Sequence, residues 1–216
     1  MAQGQKVLDK SKAAVQPGRT IAKVGVIGAG QMGNGIAHVI ALAGYKVAIN
    51  DLKREAYDRA IETIKGNMGR QISKGIIKPE DQDKALALIS YAPTMEAFGD
   101  CDLVIEAATE DEELKHKIFA SLAPHLKPTA MLASNTSSIS ITRLAAATDR
   151  PEDFIGMHFM NPVPRMELVE LIRGIATEDD TFVLARSFVE SLGKTTAVSE
   201  DFPAFIVNRI LLPMIN

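Results

Sequence analysis

The stretch KVGVIGAGQMGNGIAHVIALAGYKVAIND, residues 23–51, decides the fold. Its first five residues are an apolar run that reads as a short buried strand. Gly28-Ala29-Gly30-Gln31-Met32-Gly33 follows and opens a helix that carries Ile36, Ile40 and Ala43 on one side and ends at Gly44. Residues 46–50 make a second strand, and Asp51 stands at its end. This is a βαβ unit of about 30 residues, the length such units usually take. The first glycine permits the tight turn, the second lets the backbone approach a pyrophosphate, and the third lets helix and strand pack closely. The helix N-terminus favours the anion. Asp51 is placed to accept hydrogen bonds from ribose hydroxyls and to repel the extra phosphate of NADP, so NAD is expected rather than NADP. Glycines also serve ordinary turns, and an acid after a strand often caps a helix. A strand before the motif, a helix after it and an acid beyond the next strand together favour a dinucleotide site. Lys53 and Arg54 pull the other way on cofactor choice, since a phosphate would suit them.

The remaining chain continues the alternation. Residues 54–88 are charged and helix-prone, and Gly75 and Pro79 divide them into two helices inserted after the second strand. Residues 103–105 and 130–134 read as the next strands, with a helix over 110–122 between them whose first turn is acidic, as the helix dipole prefers. Helices are expected at 139–147 and 179–192, and a last strand at 195–198. The order predicts an α/β fold, a Rossmann-like, doubly wound, mostly parallel sheet. Residues 1–20 are polar, contain Pro17-Gly18, and read as a flexible extension. They lack the apolar run of a secretory signal, and Asp9 and the low arginine content argue against a mitochondrial leader. A cytoplasmic, bacterial setting is expected.

A chain of 216 residues, 46% of them hydrophobic, can bury a full core. The net charge of -3 offers no electrostatic footprint for nucleic acid. No stretch reaches the 18 or more apolar residues of a membrane span. Cys101 is the one cysteine, so no internal disulfide forms and nothing points to an oxidising compartment. No metal site is expected.

The segment GMHFMNPVPRMELVEL, residues 156–171, carries the chemistry. His158 ends a strand and opens a proline-locked loop, and two carboxylates, Glu167 and Glu170, lie in the apolar run that follows. An imidazole and a carboxylate in apolar strands are costly unless they pair, and a histidine held by a carboxylate makes a general base near neutral pH. Both faces of the second run are apolar, so alternation does not choose between the two acids. A lone histidine is more often structural, and His38, His116 and His125 fit helix-surface or loop positions. The run Ser134-Asn135-Thr136-Ser137-Ser138 ends a strand at the edge where ligands of parallel sheets sit. On its own it reads as a polar turn, with Ser138 or Ser140 capping the next helix. Glu106, Glu110 and Lys115 read as a solvated helix start.

The blocks IGAGQMGNGIAHVIALAGY, LVIEAATE, ASNTSSISIT, IGMHFMNPVPRMELVELI and FPAFIVNRILLPMIN resemble the (S)-3-hydroxyacyl-CoA dehydrogenase family, nearest its bacterial 3-hydroxybutyryl-CoA dehydrogenase branch. The likeness runs from about Val24 to the last residue, and the HFMNPVP and FPAFIVNR blocks are more specific than the glycine motif. It implies an enzyme that reversibly oxidises 3-hydroxyacyl-CoA, 3-hydroxybutyryl-CoA in this branch, to 3-ketoacyl-CoA with NAD. It makes His158 the base and Glu170 its partner, and puts Ser137 and Asn208 on the substrate oxygen. Gly28, Gly30, Gln31, Met32, Gly33, Asp51 and Ala107 become cofactor contacts, with Glu110, Lys115 and Asn161 toward the nicotinamide. Lys53, Lys74 and Arg54 are candidates for the phosphates of CoA. Arg165 stands where the family commonly has an apolar residue.

Family members continue for roughly another 80 residues as a helical domain. Residues 21–200 are therefore expected to form the NAD-binding domain and residues 201–216 the truncated start of an all-helical one. The resemblance implies a homodimer for the complete family member. The alternative expectation is a cofactor-binding fragment with little turnover, which self-associates through apolar residues such as Phe205, Ile210, Leu211, Leu212 and Met214. Neither a nucleic acid nor a membrane is an expected partner.

Overall fold

The computed structural model describes residues 19–202 and 205–210. Nearly all of the expected N-terminal extension, and Leu211, Leu212 and Met214, lie outside those residues. The chain begins with strand β1 (Lys23–Ile27), helix α1 (Gln31–Leu42) and strand β2 (Lys46–Asn50), as the opening stretch predicts. The insertion consists of α2 (Arg54–Ser73) and α3 (Pro79–Ala87). Pro79 opens α3, where its missing N–H costs nothing.

Beyond the insertion the structure departs from expectation in one element. A three-residue strand, β3 (Ile89–Tyr91), pairs with β2 at the sheet edge. Its length is too short for a period-two pattern to register. The rest follows as β4 (Leu103–Glu106), α4 (Glu112–Leu122), β5 (Met131–Ser134), α5 (Ile141–Ala146), β6 (Phe154–Phe159), β7 (Leu168–Arg173), α6 (Asp179–Ser191) and β8 (Thr195–Glu200).

The eight strands form one sheet in the order β3-β2-β1-β4-β5-β6-β7-β8. Every neighbouring pair is parallel except β6 and β7. Strand alternation sends side chains to two apolar layers. Val26, Ile49, Ile105, Met157 and Leu171 meet α1, α2 and α6 on one face. Val104, Leu132 and Ile172 meet Phe119 of α4 and Leu144 of α5 on the other. A sheet covered on both faces buries the centre of each strand, which explains their near-continuous apolar runs. Among the described residues, no helix is long and apolar enough to cross a membrane.

Candidate active site

The carboxyl ends of β1, β2, β4 and β5 share one edge, and the turn from β1 to α1 opens onto it. Gly28 has φ of +98°, and a Cβ there would meet the Ala107 oxygen at 2.7 Å. A Cβ on Gly33 would lie 1.7 Å from the Gly28 oxygen, so only glycine lets α1 start this close to the strand. A Cβ on Gly30 would meet nothing within 4 Å, so the backbone at the helix N-terminus faces open space where a phosphate can approach. Asp51 holds the loop: its Oδ2 accepts from the Ala29 N–H at 2.8 Å. Its Oδ1 takes no hydrogen bond among the described residues. Gly30, Gln31, Asp51 and Asn161 line one cleft of about 590 Å³ beside α2. Met32 instead packs partly against the core. Glycine cradle, open helix end and acid together fit a dinucleotide.

On the α4–α5 side of the sheet lies a buried pair of ionisable groups. The β6–β7 register places His158 directly opposite Glu170. The His158 Nδ1–H donates to Glu170 Oε2 at 2.6 Å, which leaves Nε2 as the free nitrogen. Glu170 is fully buried and the His158 side chain is 11% exposed, so the pair opens to the outside only through the imidazole. Burial pushes the Glu170 carboxyl up, but the bonds from His158 and from the Val207 and Ile206 N–H groups outweigh it and hold it below the usual carboxylate range. The structure thereby resolves which acid partners His158. Glu167 is exposed and precedes β7. The antiparallel register decides this, and alternation alone had no access to it.

The second oxygen of Glu170 reaches further. Oε1 accepts from the N–H groups of Ile206 at 3.0 Å and Val207 at 2.8 Å, where a helical turn opens. That turn carries Asn208, whose Nδ2 donates to the Ser137 carbonyl at 3.3 Å. The Phe205 ring stands 6.0 Å from the His158 ring, centroid to centroid. His158, Glu170, Ser137 and Asn208 thus meet although 71 residues separate the last two.

Glu110 faces the same loop. Its Oε1 receives Thr136 Oγ1, Ser137 N and Ser137 Oγ at 2.8 Å each, and Ser138 N and Oγ at 3.1 Å. Burial acts to raise the Glu110 carboxyl, but these donors and the charge of Lys115 more than offset it and hold it low. Lys115 and Glu106 correct the expectation of a solvated helix start. Both are fully buried and ion-paired. Glu106 also accepts from the Ser134 Oγ and the Ala108 N–H, each at 2.8 Å. Ser140, not Ser138, caps α5. His38 is likewise no surface residue: it is fully buried, bonded to Gln71 at 3.0 Å, and burial pulls its pKa down to about 4.

The proposed phosphate cations are not brought together. Lys53 and Lys74 flank the two ends of α2, whose 20 residues span about 30 Å. Arg54 is engaged by Asp58 at 3.0 Å and lies over the Tyr57 and Tyr91 rings. Lys74 lines a second cleft, of about 840 Å³, together with Arg70, Arg165 and Lys194. Lys194 was not singled out by sequence, yet its ammonium donates to the Val163 and Met166 carbonyls at 2.7 Å and pins the loop after His158. Asn135, read from sequence only as one member of the polar run after β5, has a structural tie: its Oδ1 accepts from the Phe159 N–H at 2.9 Å and joins β5 to the end of β6. No periodicity marks either residue, because each acts on backbone far away in sequence.

Comparison with known proteins agrees with this geometry. Residues 23–202 match the family model described as 3-hydroxyacyl-CoA dehydrogenase, NAD binding domain. The chain is 65% identical to a 3-hydroxybutyryl-CoA dehydrogenase of Bradyrhizobium diazoefficiens over 196 residues, covering 91% of this chain and 67% of that protein. It is 37% identical to the fatty acid oxidation complex subunit alpha of Pseudomonas entomophila, covering 97% of this chain but only 29% of that one. Its fold superposes on the crystal structure of (S)-3-hydroxybutyryl-CoA dehydrogenase from Ralstonia eutropha with a TM-score of 0.89 at 45% identity, over 91% of this chain and 70% of the other. With its glycine cradle, its sheet and 180 of its 216 residues (23–202) accounted for by that domain, the chain belongs to the 3-hydroxyacyl-CoA dehydrogenase family and carries its NAD-binding domain.

Proposed function

We propose that this chain is an NAD-dependent oxidoreductase that converts (S)-3-hydroxyacyl-CoA, with 3-hydroxybutyryl-CoA the leading substrate, to the 3-ketoacyl-CoA, reversibly. The observation that supports it best is the buried His158–Glu170 pair at the edge of the sheet that holds the glycine cradle. When bound, NAD supplies the acceptor for the hydride leaving carbon 3. Gly28, Gly30 and Gly33 clear space for its pyrophosphate, and Asp51 offers a carboxylate to the ribose hydroxyls. Gln31 and Asn161 border the same cleft. His158 Nε2 takes the proton of the 3-hydroxyl. Glu170 keeps Nδ1 protonated, so Nε2 presents its lone pair, and it stabilises the imidazolium that results. Ser137 and Asn208 hydrogen-bond the substrate oxygen and polarise the ketone in the reverse direction. Lys115 pairs with Glu106 and acts on Glu110 through its charge.

The domain reading is part of this proposal: residues 21–200 hold the cofactor, and the helical turn at 207–210 belongs to a second unit. The test is the initial rate of acetoacetyl-CoA reduction, with NADH compared against NADPH. Turnover with NADH well above that with NADPH is expected. A chain that reduces acetoacetyl-CoA with neither, or prefers NADPH, would overturn the reading and in the second case credit Lys53 and Arg54.

A further inference from the structure

We infer that Asp201 is a positioning residue, which latches the segment carrying Asn208 to the loop carrying Ser137. The inference rests on the proposal that these two residues handle the substrate oxygen. Asp201 is the first residue after β8, where the chain leaves the sheet. Its carboxylate does not face solvent at large. It accepts from Ser140 Oγ at 2.7 Å, from the Ile141 N–H at 2.8 Å and from the Thr142 N–H at 2.8 Å. These donors begin three residues after Ser137, at the opening of α5. One carboxylate thus fixes the departing chain to the element that continues the Ser137 loop.

A single anchor would leave that chain free to pivot. The second anchor is Glu170 Oε1, on the N–H groups of Ile206 and Val207. Asn208 lies just beyond the second point, and its Nδ2 reaches the Ser137 carbonyl. Two carboxylates therefore hold both ends of a six-residue span, 201–206, and the pose of Asn208 over Ser137 follows from the two together. Charge-assisted bonds to backbone N–H groups are short and directional, which suits them to fix a position. Burial works to raise the Asp201 carboxyl, but its Thr142, Ser140 and Ile141 partners outweigh it and keep it ionised at neutral pH. Among the described residues, Asp201 makes no hydrogen bond to a residue assigned to substrate or cofactor, so its effect on the reaction passes through Asn208 and the Ser137 loop.

The experiment is a double-substitution cycle on turnover in the intact enzyme, with NADH affinity and hydrogen exchange read alongside. An amide in place of the carboxylate presents N–H groups to donors, so Asp201→Asn should lower kcat by about 10-fold or more, the factor that ~1.4 kcal/mol of misplacement produces. NADH affinity should stay within about 2-fold, a shift of ~0.4 kcal/mol, since the glycine cradle lies elsewhere. The Ile206 and Val207 amides should exchange faster. Asn208→Ala should cost much less in the Asp201→Asn background than alone, because the amide it removes is already displaced. Ser140→Ala, which deletes one of the three donors together with the α5 cap and leaves the carboxylate, should move every readout in the same direction by less, and serves if Asp201→Asn does not fold. Effects that simply multiply, or an equal loss of NADH affinity, would overturn the latch while leaving the Asn208 assignment intact. A silent Asn208→Ala in the otherwise unchanged enzyme would instead remove the Asn208 assignment, and the latch with it.

Discussion

At the scale of single residues, the site depends on which protons sit where. His158→Gln should reduce kcat by about 10²–10⁴-fold, the range general-base catalysis contributes, with NADH binding near normal. Glu170→Gln should also be severe, because it frees the imidazole and weakens the acceptor for Ile206 and Val207. Glu167→Gln should change kcat little, since Glu167 is exposed ahead of β7; stopped-flow turnover of the three variants would expose a wrong carboxylate if this order reversed. His38 makes a separate, pH-dependent contribution to stability. The unfolded chain binds a proton there near 6.5 and the folded chain only near about 4. Between those values the unfolded state holds the extra proton, so stability is complete above pH 6.5 and declines as the pH falls toward 4. The shift corresponds to about 3 kcal/mol. Urea titrations across this window should show that decline, and His38→Gln should flatten it; an unchanged profile in the variant would assign the acid sensitivity to other groups.

At the scale of elements, the β1–α1 junction fits a dinucleotide because Gly28, Gly30 and Gly33 carry no side chain where its turn is tight or must stay open. Gly33→Ala places a methyl group 1.7 Å from the Gly28 oxygen, and backbone cannot yield as a flexible side chain does. Overpacking of this kind costs about 1–3 kcal/mol of stability, and the turn it displaces should bind NADH more weakly in a fluorescence titration. Gly30→Ala meets no protein atom. Its effect on folding should be small, and whatever it does to NADH binding comes from the space the cofactor would use. The element periods that identify α1, β1 and β2 were plain in sequence because each is a run long enough to show them. β3 spans three residues, and nothing local distinguishes it from a turn.

At the scale of the whole molecule, one fully buried ion pair joins α4 to the ends of β4 and β5. Glu106 takes the ammonium of Lys115, the hydroxyl of Ser134 and the N–H of Ala108. Removing Lys115 alone strands a buried charge, which costs about 3–5 kcal/mol. Lys115→Met should therefore lower the midpoint of urea denaturation sharply. Lys115→Met with Glu106→Leu should recover part of the loss, though Ser134 and Ala108 still lack an acceptor. A double variant no better than the single one would show that the strain lies in packing rather than in the uncompensated charge.

From the sequence alone came the α/β class, the glycine cradle with Asp51, the helical insertion, and His158 as the histidine set apart by its strand end and proline loop. These are local properties, written in spacing and periodicity over a few turns or strands. The choice of Glu170 over Glu167 needed the register of β6 against β7, which the loop between them is too long to specify. The burial of Lys115, Glu106 and His38 needed the opposing layers, because a charged or polar side chain on a helix looks solvated until the sheet beneath it is known. The meeting of Asn208 with Ser137, and the hold of Asp201 and Glu170 on the chain between β8 and that turn, bring together groups 36 to 71 residues apart. Such contacts leave no periodic trace in the chain, and only its tertiary path creates them.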